Sequence, residues 1–167
     1  RRCLRVPFIG DIAVRVLDSV SVDNKGGKEG GSGSEAIAAR WKGNPLLLFP
    51  EGTTSNGSCL LRFKTGVFAG GVPVHPVVIQ YDWRRFSPAF ESIYFPVHAF
   101  RLLAEPVNRL CVEFLPKYCP TAEQRADRTL YAKAVQQIFC KATGLTAVDS
   151  VYEDKAKYHT FLREQFK

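Results

Sequence analysis

Leu46 to Ile79, LLLFPEGTTSNGSCLLRFKTGVFAGGVPVHPVVI, is the stretch whose reading decides the fold. Leu46-Leu47-Leu48-Phe49 is a short, wholly apolar run stopped by Pro50. A strand buried on both faces has that pattern. Glu51 to Gly57 follows as a polar loop at the strand's C-terminal end, which is the edge where open α/β sheets bind ligands. A second apolar run, Val72 to Ile79, carries prolines at 73 and 76 that confine its ladder to Val77–Ile79. Cys111 to Leu115 is a third strand candidate, closed by Pro116.

Helical signals surround these runs. Ser34 can cap a helix through Glu35 to Lys42, with Gly43 as its stop. The longest helix is predicted over 122–143: Leu130, Ala134 and Ile138 share one stripe, joined by Tyr131, Val135 and Phe139. Thr121 and Gln124 have capping-box spacing, Lys141 falls in the last turn and Gly144 follows it. Residues 7–22 read as a short element and a strand. The glycine-rich run 23–34 lacks a phosphate-loop pattern and reads as a flexible surface loop. Alternation of strand, loop and helix gives an α/β class. Between the second and third strands, residues 83–107 are aromatic with basic insertions. They read as ordinary core and loop, with an acyl-chain or membrane contact as the functional alternative.

Composition narrows the partners. The chain has 167 residues, 46% of them hydrophobic, enough to bury a core and suited to one domain. A formal net charge of +7 points to an anionic partner: nucleic acid, a membrane surface or a phosphorylated substrate. No nucleic-acid-binding motif is present, so nucleic acid is not an expected partner. The five cysteines, Cys3, Cys59, Cys111, Cys119 and Cys140, contain no C-x-x-C pair. They read as free thiols rather than as a disulfide framework or a zinc site.

The loop after Phe49 concentrates the chemistry. A buried Glu51 requires a partner or a ligand. Gly52 permits positive φ or close backbone approach. Thr53, Thr54 and Ser55 present hydroxyls, and turn N–H groups can join them in an anion nest. Arg62 and Lys64 fall on one face of an extended segment. A phosphate site and a solvated turn with two surface cations fit these residues equally.

Three blocks resemble a known family. Phe49-Pro50-Glu51-Gly52-Thr53, Phe63-Lys64-x-Gly66-x-Phe68 and Val72-Pro73-Val74-x-Pro76-Val77-Val78 are similar, in order and spacing, to motifs of the glycerolipid acyltransferases, the PlsC-like superfamily. Within it the nearest resemblance is to lysophosphatidylcholine and lysophosphatidylethanolamine acyltransferases. It covers roughly residues 5–155. It implies an α/β fold with a mixed central sheet flanked by helices, like glycerol-3-phosphate acyltransferase and truncated at the N-terminus. Residues 1–155 would be an incomplete acyltransferase domain and 156–167 a charged tail or linker.

The implied activity is acyl-CoA-dependent O-acylation of a lysophospholipid. Acyl-CoA is a substrate, and neither a cofactor nor a metal is expected. Glu51, Gly52, Thr53 and Thr54 would bind the glycerol-phosphate part of the acceptor, Arg62 and Lys64 its charge, and Pro73 would shape the acyl or CoA side. The family's catalytic H-x-x-x-x-D block has no counterpart here: His75, His98 and His159 lack an aspartate at that spacing, His75 reads as a packing residue, and the other two read as surface or interface residues. The block is expected upstream of Arg1, leaving the fragment inactive by itself. The family's second block commonly ends in arginine, whereas the matching Val20-Ser21-Val22-Asp23-Asn24 has Asn24. The implied setting is a membrane surface, at the cytosolic side of the endoplasmic reticulum. A non-catalytic acyltransferase-like domain that binds lipid or a protein partner is the alternative.

Overall fold

The computed structural model of the chain describes residues 46–82, 89, 95–150, 157, 158, 161 and 164. The elements expected over 7–22 and 35–42 and the loop 23–34 lie outside the described residues, as does most of the aromatic stretch 83–94. Of the C-terminal tail, Lys157, Tyr158, Phe161 and Glu164 are helical. Helices and a sheet together make the architecture mixed α/β.

A single 3-10 turn, Thr65–Phe68, precedes strand β1, Val77–Asp82. Helix α1 spans Phe95–Ala104, strand β2 Arg109–Phe114, helix α2 Ala122–Ala126 and helix α3 Arg128–Thr143. β1 and β2 pair antiparallel, with Val77 opposite Phe114 and Asp82 opposite Arg109. Both strand positions match the apolar runs that predict them. The wider mixed sheet does not appear among the described residues, where β1 and β2 form a two-stranded sheet.

Leu46–Phe49 departs from expectation. It belongs to no strand, and Leu47 and Phe49 are 72% and 66% exposed. An apolar run becomes a buried strand only when neighbours cover both its edges and its faces. No ladder partner for it exists among the described residues. Phe100 in α1, expected in ordinary core, is likewise 72% exposed.

The predicted long helix is two helices broken at Asp127. Thr121 and Gln124 form the expected capping box at the start of α2. Asp127 then leaves helical geometry (φ −117°, ψ 101°), and its carboxylate accepts from the Thr129 N–H at 2.7 Å, starting α3 afresh. A short acidic side chain that captures a nearby backbone N–H favours a cap over continued helix. The N–H groups of Thr129 and Leu130 hold the Asp127 carboxyl below the usual carboxylate range. Gly144 ends α3 in the left-handed region at φ 71°, as expected.

The core forms where α3 meets the 3-10 turn. Phe63, Phe68, Tyr131, Ala132 and Val135 are buried together, with Phe139 packed against them. Phe139 meets Phe63 edge-on at 5.5 Å, and Tyr131 meets Phe68 at 5.0 Å. Ring pairs of this kind add about 0.5–1.5 kcal/mol beyond area burial. The Tyr131 hydroxyl donates to the Val72 carbonyl at 2.7 Å, which satisfies the buried phenol, and burial pushes its pKa up to about 12. The buried stripe is therefore Tyr131, Val135 and Phe139. Leu130, placed on the main stripe by periodicity, is 41% exposed. The two stripes lie one residue apart on the helix, and the aromatic partners in the F-K-x-G-x-F block select between them.

Residues 146–150 strap the segment that precedes this core. The Leu60 N–H donates to Thr146, the Val148 N–H donates back to Leu60, and the Arg62 N–H donates to Ser150, at 3.0, 2.9 and 3.2 Å. Segment 60–64 is thereby fixed between the C-terminal strap and the turn at 49–52.

Candidate functional site

The turn after Phe49 is closed by the Gly52 N–H, which donates to the Phe49 carbonyl at 3.1 Å. The Lys64 N–H donates to the Pro50 carbonyl at 2.8 Å and brings the F-K-x-G-x-F block against the turn. Gly52 takes φ +66°, a conformation side chains rarely adopt. A Cβ built there would lie 2.7 Å from Lys64 Cε and 3.3 Å from Lys64 Nζ. The glycine thus leaves the space in which the lysine stem lies, and Glu51, Gly52 and Lys64 form one cluster.

Glu51 is half-buried in this cluster. Its Oε2 is buried and has no hydrogen-bond partner. Desolvation raises its pKa above the usual carboxylate value, while the Leu61 backbone N–H, donating to the carboxylate, opposes that rise. A buried carboxylate oxygen without a donor costs about 1–3 kcal/mol. The arrangement is therefore less stable than a paired one and is suited to accept a donor from a ligand.

The polar loop engages some of its own donors. Three backbone N–H groups of this region are spent locally. Gly52 donates to Phe49, Gly57 to Ser55 Oγ at 3.3 Å, and Ser58 to Asn56 Oδ1 at 3.1 Å. The two cations also have different neighbours. Arg62 forms an exposed ion pair with Asp149 at 3.3 Å, while Lys64 lies along Gly52.

Glu51, Thr53, Thr54 and Pro73 line a cavity of about 1550 Å³, and Gly52, Arg62 and Lys64 do not. Its walls are mainly apolar and include Leu46–Phe49, Val72–Ile79 and, from α3, Val135, Phe139 and Thr143. His75 lines it and is exposed, contrary to a packing role; the chain between two prolines leaves its ring outside the core. His98, read as a surface or interface residue, is buried on α1. His159 lies outside the described residues. No group of three or more His, Cys, Asp or Glu suited to hold a metal occurs among the described residues, and Cys59, Cys111, Cys119 and Cys140 are free thiols.

A glutamate-glycine turn whose Glu51 lines an apolar cavity, with a lysine stem against the glycine, bears comparison with known proteins. The family model described as acyltransferase matches residues 1–80, which include the whole turn and both following blocks. Residues 1–80 are thus similar to the acyltransferase family. The chain is 43% identical to the lysophospholipid acyltransferase LPEAT1 of Arabidopsis thaliana over 117 residues, covering 70% of this chain and 29% of that protein. Lysophosphatidylcholine acyltransferase 1 of Rattus norvegicus is 37% identical over 116 residues, covering 65% and 21%. The lysophospholipid acyltransferase LPCAT4 of Xenopus tropicalis is 35% identical over 159 residues, covering 87% and 29%. The chain thus spans less than a third of the length of these relatives. No solved structure matches it significantly.

The sequence carries no signal for the α3 wall or for Gln136, whose Nε2 donates to the Leu61 carbonyl at 2.8 Å. A lone glutamine in a helix carries no local signal. Its role depends on a contact 75 positions away.

Proposed function

We propose that the protein carrying this chain is an acyl-CoA-dependent O-acyltransferase that converts a lysophospholipid to a phospholipid. The observation that carries this reading is the juxtaposition of Glu51, with its unpartnered buried Oε2, and the Lys64 stem seated over Gly52, at the edge of an apolar cavity. The names of the relatives, all lysophospholipid or lysophosphatidylcholine acyltransferases, supply the substrate class.

In the proposed reaction the free glycerol hydroxyl of the lysophospholipid attacks the thioester carbonyl carbon of acyl-CoA. Its proton passes to a general base, the carbon–sulfur bond breaks, and CoA leaves as the thiol after taking up a proton. Glu51 accepts a hydrogen bond from the acceptor's glycerol portion, which gives Oε2 the donor it lacks. Thr53 and Thr54 line the same edge. Lys64 offers its ammonium to the phosphate, a charge-assisted contact; Arg62, engaged by Asp149, is the weaker candidate. The cavity takes acyl chain, with Pro73 in its wall. A glycerol-3-phosphate acyltransferase-like domain is the fold that suits this reading.

The exposed apolar side chains of α1, Phe100 and Leu103, and the net charge of +7 support work at an anionic membrane surface, with the endoplasmic reticulum as the proposed site. The decisive experiment incubates full-length protein with labelled acyl-CoA and either lysophosphatidylcholine or lysophosphatidylethanolamine. Labelled phospholipid should form, and Glu51→Ala should abolish it. Lipid binding without any transfer would replace this reading by that of a non-catalytic lipid-binding domain.

A further inference from the structure

α3 is fixed at both ends and along its length. Asp127 caps its start and Gly144 its end. Two of its side chains bond to the segments it packs against. The Tyr131 hydroxyl donates to the Val72 carbonyl at 2.7 Å, and Gln136 Nε2 donates to the Leu61 carbonyl at 2.8 Å. The first of these bonds joins α3 directly to Val72–Ile79, another wall of the cavity.

Residues four apart on a helix lie one above the other on the same face. From Tyr131 that face runs through Val135 and Phe139 to Thr143. Tyr131 is fully buried where α3 is pinned to Val72, and the next three line the cavity. The Thr143 hydroxyl donates to the Phe139 carbonyl at 2.7 Å and accepts from the Leu145 N–H at 3.3 Å, so its polar demand is met within the chain. This wall is therefore apolar.

Phe139 is the largest side chain on the wall. Its ring meets Phe63 edge-on at 5.5 Å, so part of it belongs to the core. Unlike Val135 it is only partly buried, and it also lines the cavity. A ring placed between core and cavity, on a fixed helix, sets how much space the cavity offers. At about 1550 Å³ that space exceeds the roughly 300–1000 Å³ of ordinary ligand pockets, and its mainly apolar walls suit hydrocarbon.

We infer that Phe139 is a specificity-determining residue, whose ring limits the length of the acyl chain that the cavity accepts. The inference rests on the proposed acyl transfer. Both substrates of that reaction carry such a chain, the acyl-CoA and the lysophospholipid, and the two arms of the test tell them apart.

The test measures kcat/KM for the full-length parent, Phe139→Ala, Phe139→Leu and Phe139→Trp. One arm varies the acyl-CoA from dodecanoyl to eicosanoyl with a single lysophospholipid; the other varies the lysophospholipid chain over the same range with a single acyl-CoA. Melting curves verify folding, and Phe139→Leu carries the test if the alanine variant does not fold. Phe139→Ala should move the preferred chain length upward in one arm. The ratio of eicosanoyl to palmitoyl kcat/KM should rise about fourfold for each further methylene that the enlarged cavity buries. Phe139→Leu should act in the same direction by less, and Phe139→Trp in the opposite one. The arm that responds identifies the substrate whose chain lies against α3. A parallel loss at every chain length in both arms, with the parent's preference kept, is what a purely structural phenylalanine gives and would overturn the inference. An active parent with an unshifted profile in every variant removes this inference alone; an inactive parent removes the acyl-transfer reading and this inference with it.

Discussion

Placing an alanine at Gly52 separates backbone strain from the seating of Lys64. Alanine at φ +66° costs about 1–2 kcal/mol, the penalty of the left-handed region for a residue with a Cβ. For a domain of this size that lowers Tm by about 2–8 °C. The new Cβ meets Lys64 Cε at 2.7 Å, where ordinary contact begins at 3.4 Å, so the lysine stem must move. Moving a flexible side chain costs little stability, but it displaces the ammonium. Loss of one charge-assisted hydrogen bond to phosphate costs about 1.5–3 kcal/mol, or a rise of about 10- to 100-fold in the lysophospholipid KM. Gly52→Asn divides the two effects, because asparagine tolerates positive φ yet still carries the Cβ. It should melt close to the parent and bind lysophospholipid nearly as poorly as Gly52→Ala. In a Lys64→Met background, Gly52→Ala should cost stability alone. The assay is steady-state acyl transfer by full-length protein, paired with thermal melts. A Gly52→Asn variant with the parent's KM would refute the reasoning.

The remaining predictions concern charge and capping. Glu51 has a raised folded-state pKa, so its burial disfavours the ionised form, and stability falls as pH rises from the ordinary carboxylate range through the raised value. Glu51→Gln should therefore melt higher than the parent at pH 7, and the gap should shrink toward pH 4; an equal or lower Tm at pH 7 argues against a desolvated carboxylate. Lys64→Met should raise the lysophospholipid KM several times more than Arg62→Met, because Arg62 is held by Asp149; kinetics of the two variants side by side decide this. Breaking that exposed pair with Asp149→Asn should change stability by less than about 1 kcal/mol in a denaturant titration. Thr121→Ala removes the acceptor of the α2 capping box and should cost about 1 kcal/mol by the same method.

Local chemistry was the legible part of this chain. The Thr121–Gln124 box, the Gly144 stop and strands β1 and β2 depend on residues a few positions apart, and each appears where its signal stands. Features that depend on distant partners were not legible. Leu46–Phe49 resembles a buried strand, but hydrophobicity cannot supply the ladder that a strand requires. The phase of α3 is set by Phe63 and Phe68, more than sixty positions earlier in the chain, so periodicity named the Leu130 and Tyr131 positions together without choosing between them. Arg62 finds Asp149 and Gln136 finds Leu61 only through the folded path of the backbone. In the site, the sequence located the turn and its glycine. That the N–H groups of Gly52, Gly57 and Ser58 are taken up by the Phe49 carbonyl, Ser55 and Asn56 was not readable from composition.

A lysophospholipid carrying a photoreactive group beside its phosphate, cross-linked to full-length protein and mapped by mass spectrometry, tests the location of the headgroup most directly. Adducts concentrated at Glu51–Thr54 and Lys64, and competed away by unlabelled lysophospholipid, are the expected result. Competable adducts confined to other parts of the chain, with none in the Phe49–Lys64 segment, would contradict it.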